Sequence, residues 1–70
     1  MIALIKNVIE EFAEDPKNAR NTLVWGRNRF HLSFDSCTRE ITICNAITWD
    51  FVAESSNTNL LAHAIHSYRR

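Results

Sequence analysis

Residues 29–34 read Arg29-Phe30-His31-Leu32-Ser33-Phe34, and this stretch decides the fold. Phe30, Leu32 and Phe34 alternate with Arg29, His31 and Ser33. Side chains of a strand point alternately to opposite faces, so the pattern makes one apolar face and one polar face. It predicts the middle strand of a small antiparallel sheet.

The flanking residues extend the sheet in both directions. Thr22–Gly26 predicts a preceding strand with Leu23 and Trp25 inward. A two-residue loop keeps those side chains beside Phe30 and Leu32, and Gly-x suits a type II′ turn, so Gly26-Arg27 is the expected connection. Arg39–Cys44 predicts a third strand with Ile41 and Ile43 inward, reached through the loop Asp35-Ser36-Cys37-Thr38. That register sets Leu32 opposite Ile41 and Phe30 opposite Ile43. On the outer face it sets His31 opposite Thr42 and Ser33 opposite Glu40. In residues 46–54, Ile47, Trp49 and Phe51 alternate with Thr48 and Asp50, which predicts a fourth strand with the three apolar side chains inward. The loop this needs, Cys44-Asn45-Ala46, brings Glu40 opposite Asp50, an unfavourable like-charge pair. A short helix capped by Asn45 is the alternative.

Helices are expected on both sides of the sheet segment. Ile2, Ile5, Val8, Ile9 and Phe12 recur at helical spacing over residues 2–14, and Asp15-Pro16 ends the pattern. From Asn57 to about Tyr68, Leu61, Ala64, Ile65 and Tyr68 form a second stripe with Leu60 at its edge, and His63, His66 and Arg70 lie on the other face. The expected architecture is a two-layer α+β domain over residues 1–70. It has an N-terminal helix, a three- or four-stranded antiparallel meander and a C-terminal helix, both helices on the apolar sheet face. No internal repeat is evident. With three strands the order α-β-β-β-α would resemble the double-stranded RNA-binding domain, but Asn57-Thr58-Asn59 lacks the lysines that would grip phosphates.

Composition limits the function classes. Seventy residues with 46% hydrophobic content make one globular domain of marginal stability. The net charge is zero, with eight basic and eight acidic residues, but they are segregated. Residues 1–16 carry −3, residues 17–39 carry +4 through Lys17, Arg20, Arg27, Arg29 and Arg39 against Asp35, and residues 40–68 carry −3. Arg69 and Arg70 restore neutrality. Cys37 and Cys44 match no zinc or redox spacing, which suggests free thiols in a reducing compartment. With no signal peptide and no span of membrane length, the expected location is the cytoplasm.

No residue set makes a strong catalytic or metal site. His63 and His66 form an i, i+3 pair without a third convergent ligand. His31, Ser33 and Asp35 alternate along one strand, which is the wrong aim for a triad. His31 and Cys44 form only a weak dyad candidate. A single glycine excludes a phosphate-cradling loop. No enzyme activity, cofactor or metal is expected. The sequence reads instead as a non-enzymatic protein-binding module, of the accessory or inhibitory type found in phages and mobile elements. Its expected partner is a protein or a second copy of itself, with no membrane. Arg27, Arg29, His31, Arg39 and Thr42, on the bare sheet face or beside it, are the candidate partner-binding residues. The alternative is a small RNA- or DNA-binding domain using the basic segment 17–39, with zero net charge against it.

Overall fold

The computed structural model describes residues 2–68, so Arg69 and Arg70 lie outside the described residues. The elements are α1 (Ile2–Glu14), β1 (Thr22–Trp25), β2 (Asn28–Phe34), β3 (Ile41–Asn45), β4 (Phe51–Ser55) and α2 (Thr58–His66). The strands form one antiparallel meander in the order β1-β2-β3-β4. The expected two-layer α+β architecture is present, and its sheet has four strands.

One core joins the two layers. Ile5, Ile9 and Phe12 of α1 and Leu61, Ala62 and Ile65 of α2 are buried against Leu23, Phe30, Leu32, Ile41 and Ile43 of the sheet. Val8, read from the sequence as part of the α1 stripe, sits at its margin and is 38% exposed. The two helices also pack against each other, and α2 lies beside β4. Asn57 caps α2, its side chain accepting hydrogen bonds from the backbone N–H groups of Asn59 and Leu60. Thr58 Oγ1 donates to Glu10 Oε2 at 3.5 Å, which places an α1 carboxylate at the positive end of α2.

The β1–β2 turn follows expectation. Trp25 pairs with Asn28, so Gly26-Arg27 is the two-residue loop. Gly26 has φ +63° and Arg27 does not have a positive φ, which is the type II′ pattern.

The next two loops are copies of one another, ten residues apart. Asp35 Oδ1 accepts from the N–H of Cys37 and Thr38 at 2.8 and 3.3 Å. Asn45 Oδ1 accepts from the N–H of Ile47 and Thr48 at 2.8 and 3.0 Å. The fourth loop residue donates back to the first carbonyl in both, Arg39 to Asp35 and Trp49 to Asn45, each at 2.7 Å. Asp35 N–H to Glu40 C=O and Asn45 N–H to Asp50 C=O close the two hairpins. Thr38 and Thr48 hydroxyls accept from the N–H of Glu40 and Asp50, both at 3.3 Å. Arg39 and Trp49 take left-handed backbone conformations, φ 61° and 64°. The pattern is Asp/Asn-x-x-Thr-x-Asp/Glu, with an unusual non-glycine residue in the left-handed position.

This loop design moves two strand registers. The first loop is Ser36–Arg39, one residue later than expected, because the Asp35 side chain turns the chain after itself. Leu32 therefore faces Ile43, Phe30 faces Asn45, His31 faces Cys44 and Ser33 faces Thr42. A shift of two in pairing preserves the faces, so the apolar side stays whole. The second loop, Ala46–Trp49, occupies what read as the start of a fourth strand. Its Asn45 is a cap, as the alternative held, but it caps a hairpin loop and not a helix.

β4 carries a bulge. Ile43 pairs with Ala53 but Cys44 pairs with Phe51, which leaves Val52 as the extra residue. Val52 and Ala53 both pack against the core. One inserted residue reverses the facing of everything beyond it, so Phe51 lies on the outer face with Cys44. Ile47, Trp49 and Phe51, expected inside, are 74%, 62% and 66% exposed. Glu40 and Asp50 close different loops and do not oppose each other.

Candidate functional site: the outer sheet face

The helices cover one face of the sheet and leave the other open. Register gives its layout. Thr22, His31, Cys44 and Phe51 form one row across the four strands. Val24 and Arg29 stand on one side of that row, and Ser33, Thr42 and Glu54 on the other. Thr42 Oγ1 donates to Glu54 Oε2 at 2.7 Å, which fixes the carboxylate on this face at the β4 edge.

The centre is aromatic. The Trp49 ring meets the His31 ring edge-on, with centroids 5.3 Å apart. His31 Nε2 also lies 3.4 Å from Asn21 Nδ2, a hydrogen bond in the tautomer whose Nε2 accepts. The imidazole is thus held between the chain before β1 and the loop before β4. Val24, Trp49 and Phe51 each expose more than half their surface. Arg20, Thr22, Val24 and Arg29 line an open depression of about 400 Å³ at the β1 edge.

The five residues singled out from the sequence divide between two places. Arg29, His31 and Thr42 share the outer face. Arg27 is exposed in the β1–β2 turn, at one end of the meander, and Arg39 is exposed in the β2–β3 loop, at the other. The topology separates Arg27 from Arg39, so the basic segment does not form one continuous patch. Trp25 and Phe30 do not serve this face. Phe30 is fully buried with its ring edge-on to Tyr68, and Trp25 packs against the core with its ring 6.0 Å from His66.

Sequence reading missed Trp49, Phe51 and Glu54 as surface residues. The repeated Asp/Asn-x-x-Thr pattern was the available signal for Trp49. The bulge that turns Phe51 outward has no mark in the sequence.

His31 and Cys44 are directly opposite on neighbouring strands, and both cysteines are free thiols. Among the described residues, no group of three or more His, Cys, Asp and Glu side chains is placed to hold a metal ion. No described helix is long and apolar enough to cross a membrane. No protein-family model matches the chain, and neither a curated protein nor a solved structure matches it.

Proposed function

We propose that this chain is a non-enzymatic protein-binding module that works through its outer sheet face. The observation that carries this reading is the cluster of Val24, Trp49 and Phe51, large apolar side chains held in the open around His31. Exposed aromatics of this size, rimmed by polar groups, are the usual anchors of protein contacts. The module acts by docking this face on a protein surface, that of another protein as in accessory and inhibitory proteins or that of a second copy, and its free thiols suit the reducing cytoplasm.

The test is a photo-crosslinking amino acid placed at Phe51, and separately at Leu60 on α2, which is also exposed. Protein adducts from position 51 and not from 60 support the reading. Adducts from position 60 alone overturn it.

One observation favours a second reading, nucleic-acid binding. Exposed aromatics on an open four-stranded sheet, beside Arg20 and Arg29, offer stacking platforms and phosphate contacts. Glu54 on the same face and equal numbers of acidic and basic residues oppose it. A gel shift with single-stranded RNA or DNA at low salt, lost in Phe51→Ala, would establish it in place of the first.

A further inference from the structure

We propose that the partner seated on the outer face is a second copy of this chain, docked with its β1 edge over the first copy's β4 edge. This rests on the reading of that face as a protein-binding surface and names its occupant. The argument is self-complementarity. One edge of the face is a basic depression containing Val24 and Thr22 between Arg20 and Arg29. The opposite edge presents Phe51 and the Glu54 carboxylate, with Trp49 at its loop end.

A two-fold axis lying in the interface along the strand direction exchanges the two edges. Rows stay aligned under that operation, because each residue keeps its position along the strand. Val24 of one copy then meets Trp49 of the other, and Thr22 meets Phe51. Leu32 N–H donates to Asn21 C=O at 2.8 Å, which continues the β1 pairing past Thr22 and sets Arg20 in the row of Ser33, Thr42 and Glu54. Arg20 of one copy thus lies over Glu54 of the other. Neither Arg20 nor Arg29 has an ion-pair partner among the described residues, so the depression is free to receive a carboxylate. The exchange makes every contact twice, as an isologous dimer requires. Strands of the two copies run nearly aligned, which is a standard way for two sheets to pack.

The area is large enough for such a dimer. Each aromatic can bury roughly 150–250 Å². With Val24 and the threonines they supply a large part of the roughly 800 Å² per partner that a stable interface needs.

The experiment is sedimentation equilibrium on wild type, Glu54→Arg, Arg20→Glu and an equimolar mixture of the two variants, with circular dichroism confirming that each is folded. Either variant alone places like charges across both symmetric contacts and should raise the dissociation constant about tenfold or more. The mixture restores both pairs and should sediment as a heterodimer near wild-type affinity. Wild type that stays monomeric at high micromolar concentration overturns the second copy as occupant, while the crosslinking at Phe51 still decides whether the face binds protein. A wild-type dimer unmoved by either charge reversal overturns this arrangement. If Phe51→Arg also leaves that dimer intact, the outer face itself is not the interface.

Discussion

Asp35 and Asn45 stand ten residues apart and hold the same two amide groups in successive hairpins, yet one is exposed and the other is 94% buried (6% accessible). Asn45 uses both ends of its amide. Its oxygen takes two backbone N–H groups, and its Nδ2 donates to the Tyr68 hydroxyl at 3.2 Å. The matched geometry makes a controlled comparison. Asp35→Ala should cost about 1 kcal/mol, since water replaces the lost acceptor. Asn45→Ala should cost about 2–4 kcal/mol, because it removes a buried side chain that makes three hydrogen bonds, one of them to the half-buried Tyr68. Urea denaturation of both variants checks the ratio, and equal losses would mean that burial of Asn45 does not matter.

The left-handed positions give a second prediction. Arg39→Gly and Trp49→Gly each remove side-chain strain, partly offset by the greater freedom of glycine in the unfolded chain. Each should raise stability by about 0.5–1 kcal/mol. Trp49→Gly should in addition abolish the proposed dimer while Arg39→Gly leaves it intact. Thermal melts and sedimentation on the two variants separate the effects. A destabilised Trp49→Gly would show that the His31–Trp49 ring contact outweighs the backbone strain.

Core and outer face should respond differently. Phe30→Ala or Leu32→Ala should cost about 2–5 kcal/mol, because each opens a cavity at a fully buried site. That is a large fraction of the total stability of a domain of this size. His31→Ala, on the same strand between them, should cost under about 1 kcal/mol. Guanidinium titrations on the three variants test the facing of β2.

Gly26 supplies a fourth test. No atom within 4 Å would meet an added Cβ, so space does not require glycine there. Its φ of +63° does. Gly26→Ala should cost about 1 kcal/mol and Gly26→Asn less, since asparagine tolerates the left-handed region. Equal losses in thermal denaturation would point away from backbone conformation as the cause.

The apolar face of β1 to β3 was legible because alternation survives a register error of two. Leu23, Phe30, Leu32, Ile41 and Ile43 are buried whichever loop is assumed. Both helices were legible from their stripes. The registers were not, because they depend on which residue begins each loop. That choice is made by the side chains of Asp35 and Asn45 competing for backbone amides. The alternation of Ile47, Trp49 and Phe51 was misleading, since a hairpin loop and a bulge break the strand period within it. Arg29, His31 and Thr42 were placed on the outer face by parity alone. The aromatic centre and Glu54 needed coordinates.

Every strand pairs with its neighbour in sequence, and the packing of α1 on α2 joins segments more than forty residues apart. The meander can therefore assemble from local hairpins, with little loop-closure entropy to overcome. Meeting of the two helices is the event that must span the chain. Docking of α2 also covers the apolar sheet face beside β4 and brings the Tyr68 hydroxyl to accept from Asn45, so one long-range contact completes both the core and the last hairpin loop.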